Sequence, residues 1–275
     1  MDKLTVGPHP WVRLSTHRLR TMASRPFFPD SAVSWLVGDE PSRVLVLGAS
    51  GPYATAIRDA GHGVLVLDRS ADGLSRLVER RPDLGGVVAQ GESLPLASGT
   101  FDRIVCPQNL HTFAPGLALT EFARVLAPHG RLCVIYLTRD DSVPWVKRLT
   151  AVVRHRLPDA MTGDYGDASL DALRTSAYFP DLEEHSHRLW VPSTRQQLVD
   201  MARRATGAER LSAEDLDALG DEVGGVYDSS ARPPEPLLLP YRLGCWRAMV
   251  DHSEFSSPIQ PLDDALHIRL GAPPA

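Results

Sequence analysis

Short apolar runs, rich in valine and leucine, recur along the first half of the chain, and each is followed by a stretch of helical spacing. RVLVL at 43–47 ends at Gly48 and precedes a helical stretch over 53–60 that Gly61 stops. VLVL at 64–67 ends at Asp68, after which residues 70–80 carry Leu74, Leu77 and Val78 on one helical face. GVVA at 86–89, FDRIVC at 101–106 and RLCVIYL at 131–137 supply three further strands. A helix over 117–126 separates the last two, and His129-Gly130 breaks it. Strands without polar alternation belong to a parallel sheet covered on both faces. With right-handed crossovers, this predicts a doubly wound α/β sheet. Beyond Thr138 the pattern loosens. Mixed helix and loop fill 142–180, and SHRLWV at 186–191 reads as a strand. A helix opens at Ser193 with Gln196 as capping partner, and another at Ser212 with Asp215 at the same offset. Residues 237–250 hold a final strand.

A chain of 275 residues suits one α/β core with a subdomain. The reading divides it into an N-terminal helical segment (1–40), a core (41–250) with an insertion around 142–230, and a loosely packed tail (251–275). Arg13, His17, Arg18, Arg20 and Arg25 make the first segment basic, which fits either a solvated helix face or a lid over an anionic substrate. The formal charge of -5 argues against a broad nucleic-acid footprint. No apolar stretch approaches the ~20 residues of a membrane helix, and the first residues lack the apolar core of a signal peptide. Cys106, Cys133 and Cys245 are far apart and odd in number, so the expected setting is the reducing cytoplasm, with no disulfide frame or metal site.

Candidate chemistry collects at strand ends. Gly48-Ala49-Ser50-Gly51 lets backbone approach a ligand closely at a helix start. Asp68 closes the second strand, where a carboxylate can accept both hydroxyls of a ribose. Together they point to a nucleoside-containing cofactor. A simple tight turn and a helix cap for the segment at Ser70 are the plainer readings. The pair alone suits a dinucleotide-binding oxidoreductase equally well.

Further segments separate these options. QGESLPL at 90–96 followed by GTFD at 99–102 resembles the D-A-E-x-L-P-F…G-S-F-D segment of class I S-adenosylmethionine-dependent methyltransferases. EFARVLAPHGRL at 121–132 resembles their E-x-x-R-V-L-x-P-G-G-x-L signature. RPFFP at 25–29, QNLH at 108–111, RDDSVPWV at 139–146, and LPY at 239–241 with CWR at 245–247 are similar to a type 11-like group acting on small molecules. That group carries R-P-x-Y-P, Q-A-F-H-W, R-D-D-S-V-P-W and L-P-Y-x-T-x-C-W/Y-R at these places.

The resemblance implies a Rossmann-like seven-stranded sheet with an antiparallel last strand, a helical lid, and S-adenosylmethionine as cofactor. Gly48, Ala49, Ser50 and Gly51 would lie against its methionine part. Asp68 and Arg69 would lie at the ribose, and Gln90, Gly91 and Glu92 beside the adenine. Gln108 and His111 would face the reacting methyl, with His111 as base if the acceptor is a hydroxyl and a packing role as its alternative. No N/D-P-P-Y/F motif follows the fourth strand, which favours a small-molecule acceptor, with O- or carboxyl-methylation expected. Asp140-Asp141 reads as a solvated turn. The chain departs from the group's D-L-G-x-G-T-G motif: Val46 stands at the acidic position, one glycine is missing, and Pro52 offers no N–H. Gln90 stands where an Asp is usual, with Glu92 two positions on. These changes keep open a relative that retains the fold without catalysis.

Overall fold

The computed structural model describes residues 28–161, 166–232 and 236–256. Seven strands form one sheet in the order β3-β2-β1-β4-β5-β7-β6. Strands β1 (Arg43–Leu47), β2 (Gly63–Asp68), β3 (Gly85–Val88), β4 (Phe101–Pro107) and β5 (Leu126–Arg139) are parallel. β7 (Leu237–Met249) runs antiparallel to β5, and β6 (Leu182–Ser193) antiparallel to β7. Strand order reverses at β1, which has β2 on one side and β4 on the other. A crevice for ligands opens at such a switch point, beyond the carboxyl ends of the strands.

Helices α1 (Asp30–Val37), α2 (Gly51–Asp59), α3 (Ala71–Arg80) and α4 (Pro115–Val125) accompany the parallel strands. Successive residues of β1 serve opposite layers. Val44 and Val46 join a core with Leu36 and Ile57, whereas Leu45 and Leu47 join one with Phe122 and Leu132. Burial on both faces is why the sequence shows continuous apolar runs here. A third apolar cluster joins α5 (Pro144–Arg156), α7 (Arg195–Arg203) and α8 (Ala213–Ser230) to Leu239 of β7. α6 (Asp167–Arg174) packs instead with the α4 layer. The stretch 142–230 therefore splits: its helices stand beside the sheet, while β6 within it forms the sheet's edge. The N-terminal basic residues Arg13, His17, Arg18, Arg20 and Arg25, and most of 251–275, lie outside the described residues.

One predicted boundary moves. α7 is capped by Thr194 in a capping box with Gln197, not by Ser193 and Gln196. Ser193 is still paired with Leu237 in the ladder, and its hydroxyl donates to the Val191 carbonyl, so the cap falls to the next residue. Ser212 does cap α8, accepting the Asp215 N–H at 3.1 Å.

The EFARVL segment is a clamp built on a core helix. Phe122 and Val125 are buried, while Glu121 and Arg124, one residue before each, reach sideways to the 94–96 segment. Glu121 accepts the Leu94 N–H at 2.8 Å. Arg124 donates to the Leu96 and Leu94 carbonyls at 2.8 and 3.0 Å and to Glu121 through two nitrogens. Arg124 accordingly holds the Glu121 carboxyl below its usual range. Near its start β5 is irregular at His129, at φ 64°, and at Gly130, where a Cβ would meet the Ala127 carbonyl oxygen at 2.8 Å. A left-handed non-glycine residue costs roughly 1–2 kcal/mol, and glycine's extra chain entropy costs about 0.5–1 kcal/mol. The conformational term wins, so His129→Gly is expected to stabilise the fold by about 0.5 kcal/mol, raising Tm by ~1–2 °C in a thermal melt.

Candidate active site

The switch-point turn starts where Leu47 ends β1. Gly48 adopts φ 87°, a conformation that favours glycine. Its N–H donates to the Leu67 carbonyl at 2.6 Å, and the Ser50 N–H donates back to the Gly48 carbonyl at 2.7 Å. Asp68 closes the arrangement from β2. One carboxylate oxygen accepts the Ala49 N–H at 2.6 Å and the other the Ser70 N–H at 2.7 Å. Ser70, not Asp68, supplies the side-chain cap of α3, accepting the Gly73 N–H. A carboxylate offers about four acceptor sites. Two are taken, which leaves capacity for a pair of ribose hydroxyls. Arg69 is exposed beside it.

Gly51 opens α2, with Pro52 in its first turn. From β4, Asn109 donates through its side-chain nitrogen to the Leu47 carbonyl at 2.7 Å. That nitrogen lies 2.9 Å from the position a Cβ on Gly48 would occupy, and an Asp68 carboxylate oxygen lies 4.0 Å from the same position. Gly48, Asp68 and Asn109 thus meet at one point, although they come from three strand ends.

Gln108 holds a left-handed backbone at φ 59°, and its side-chain amide donates to the Tyr53 hydroxyl at 3.3 Å. Tyr53 is buried under an edge-on Phe28, and burial pushes its hydroxyl up to about 12. His111 is exposed in the short 3-10 turn Leu110–Thr112. Its backbone N–H donates to the Tyr136 hydroxyl at 3.2 Å, and its Nδ1 lies 3.4 Å from that oxygen. Tyr136 in turn meets Ser169 at 3.0 Å.

The 90–92 segment is positioned by α4. Gly91 is buried against Phe113, whose ring would lie 2.6 Å from a Cβ there. Glu92 accepts the Ala114 N–H at the start of α4 at 3.0 Å, so one of its oxygens supports a helix end. Gln90 is exposed and forms a bridge with Ser93.

The methyltransferase domain family matches residues 45–134, which span the turn, Asp68 and the EFARVL clamp. An uncharacterized methyltransferase of Mycobacterium tuberculosis is 30% identical over 229 residues, covering 82% of this chain and 90% of the relative. The chain belongs to the methyltransferase family. A demethylmenaquinone methyltransferase of Beutenbergia cavernae is 35% identical over a shorter 105 residues, 38% of this chain and 42% of that one. A solved protein of Anaeromyxobacter dehalogenans, assigned as a type II methyltransferase, has a TM-score of 0.57 at 18% identity, covering 83% of this chain and 98% of that one. Another from Bacillus halodurans, also assigned as a methyltransferase, gives a TM-score of 0.51 at 14% identity over 80% of this chain and 97% of that one. These likenesses establish the fold as that of class I methyltransferases.

In this methyltransferase only one of the acid pair after β5 is solvated, where the sequence suggested a solvated turn for both. Asp140 is 6% exposed and accepts from Arg188 on β6 and from Ser142. Ser142 and Arg188 hold its carboxyl down at about 2, below the usual 3.8. Asp141 is exposed and accepts from Thr150. Because Asp140 is depressed in the fold, its ion pair contributes stability above pH 3.8, and that contribution is lost as pH falls through about 2. Arg188→Met is therefore expected to lower the urea midpoint most at neutral pH, with the gap from wild type closing as pH falls toward 2, measured across pH 7 to 2.5.

Sequence reasoning gave no role to Asn109, Tyr53 or Tyr136. The only available signal was Asn109 itself, standing where the resembling group has alanine. A groove of about 520 Å³ beside α3 and β3 is lined by Leu74, Ser75, Val78 and Gly86 among others. None of the site residues above lines it. Among the described residues no helix is long and apolar enough to cross a membrane.

Proposed function

We propose that this methyltransferase transfers a methyl group from S-adenosylmethionine to an oxygen of a small molecule, a hydroxyl or a carboxylate, in the cytoplasm. The observation that carries the reading is Asp68: a carboxylate with spare acceptor capacity closes β2 beside the Gly48 turn, at the strand-order reversal. Such a group suits the ribose of the cofactor. Gly48 brings backbone against the methionine part, and Ala49, Ser50 and Gly51 continue that wall. The cofactor supplies the reactive methyl, while the protein supplies alignment and excludes water. Alignment alone contributes ~7–11 kcal/mol in well-oriented systems. Gln108 and His111 border the reacting end. If the acceptor is a hydroxyl, His111 takes its proton, oriented by Tyr136; a carboxylate acceptor needs no base. Helices α5, α7 and α8 are the acceptor-selecting lid in this reading. Burial of all three cysteines agrees with a reducing compartment.

Isothermal titration tests the proposal. Micromolar binding of S-adenosylmethionine, with none of NAD, is expected, and silence at millimolar cofactor overturns it. A second reading, a fold kept without catalysis, draws on a specific observation: the Gly48, Ala49 and Ser50 amides are all spent within the protein, and Pro52 has none to give. That silence is its expected result.

A further inference from the structure

Asn109 has one satisfied end and one unsatisfied end. Its side-chain nitrogen donates to the Leu47 carbonyl, and this fixes the orientation of the amide, because a flipped group would set two oxygens face to face. The side-chain oxygen Oδ1 is buried and has no hydrogen-bond partner. Buried acceptors are nearly always paired, and an orphan calls for an explanation. This one sits in the amide whose nitrogen lies beside Gly48, past the ends of the neighbouring strands β1 and β4, with an Asp68 carboxylate oxygen near the same point.

The carboxyl-terminal end of β1 carries no charged side chain. Val46, at the place where the resembling enzymes carry an acid, is fully buried among the apolar residues of the α1–α2 layer. The turn around Gly48 therefore brings no carboxylate from β1 toward a cationic amino-acid end. Asn109, from β4, reaches the same place with an acceptor that nothing in the protein uses.

We infer that Asn109 Oδ1 is the acceptor for the α-ammonium of the cofactor's methionine part, replacing from β4 the acid missing from β1. The inference rests on the S-adenosylmethionine reading above and assigns Asn109 a binding role within it. A protonated amine is a strong donor, and bonds with one charged partner are roughly twice as strong as neutral ones. The bound ammonium satisfies Oδ1, while the Leu47 contact keeps the amide from rotating away. Gly48, beside the amide, has no side chain to obstruct the ligand's approach.

The test compares two ligands by isothermal titration on the full chain. S-adenosylhomocysteine carries the ammonium; 5′-methylthioadenosine has the same nucleoside without the amino acid. Asn109→Ala is expected to weaken S-adenosylhomocysteine about tenfold, which is ~1.4 kcal/mol, and to leave 5′-methylthioadenosine within about twofold. Equal affinity of wild type and variant for S-adenosylhomocysteine overturns the inference while leaving the cofactor reading intact. Equal losses for both ligands also overturn it, since they mark a disturbed turn and not a lost ammonium contact. A wild-type protein that binds neither ligand removes the cofactor reading and this inference with it. Asn109→Ser, which keeps an oxygen too short to reach both partners, gives a second variant, and it is expected to show the same ligand-selective loss.

Discussion

Asp68→Ala is expected to weaken S-adenosylmethionine binding about 10- to 100-fold. Hydrogen bonds to a charged group contribute roughly 1.5–3 kcal/mol, and every 1.4 kcal/mol is about tenfold in affinity. Among the described residues the Asp68 carboxylate is the charged acceptor that meets the turn, and it has capacity for both ribose hydroxyls. Its removal also strips the Ala49 and Ser70 amides of their acceptor. Ser70 is exposed and Ala49 partly so, which lets water replace the carboxylate there. The stability loss should therefore stay near 1 kcal/mol, small beside the affinity loss. Asp68→Asn is expected to fall between, because it keeps one acceptor oxygen and turns a donor toward an N–H. Titration with the cofactor separates these outcomes, and a thermal melt of each variant checks that the turn still folds. Wild-type affinity in Asp68→Ala would remove this carboxylate from the cofactor site altogether.

Phe122→Ala carries the largest expected loss of stability. Its ring is fully buried at the centre of the α4 layer and meets Phe113 edge-on, with centroids 5.7 Å apart at 90°. Truncating a buried phenylalanine costs ~3–5 kcal/mol, the spread depending on how far neighbours collapse into the space. Against a total of ~5–15 kcal/mol for a typical domain, that removes a large share. The urea midpoint reads the effect directly. Molecules that stay folded should bind cofactor more weakly than wild type by a small factor, since Phe122 supports Phe113, which packs on Gly91 of the 90–92 segment. A variant melting like wild type would mean that α4 is not the keystone of that layer.

The contrast between these residues shows what kind of information each segment carries. The two predicted to matter for cofactor, Gly48 and Asp68, end apolar runs, and in a parallel sheet such ends gather at one edge. Their meeting was legible because ligands in such a sheet bind beyond the carboxyl ends of the strands, and each residue's place follows from the run before it. Glu121 and Arg124 look locally like an exposed i,i+3 ion pair. Only folding shows that both reach the 94–96 backbone and hold it. Glu92, read as a neighbour of adenine, also accepts the Ala114 N–H at the start of α4 through one oxygen, a contact that its place in the sequence does not reveal. Asp140 looked solvated because nothing near it in sequence covers it; β6 arrives much later in the chain and brings Arg188.

The chain's own pattern determined the parallel core, the helices between its strands, and the glycine turn with its acid. Those features depend on burial and backbone preference within a few residues, and neighbours in sequence record them. Tertiary structure alone decided that Asn109 lies across Gly48 with one oxygen unpaired, that Asp140 is buried, and that the EFARVL helix clamps a distant segment. Each of these requires two strand ends or layers to be brought side by side. That proximity is set by the order of strands in the sheet, which no local run of residues contains.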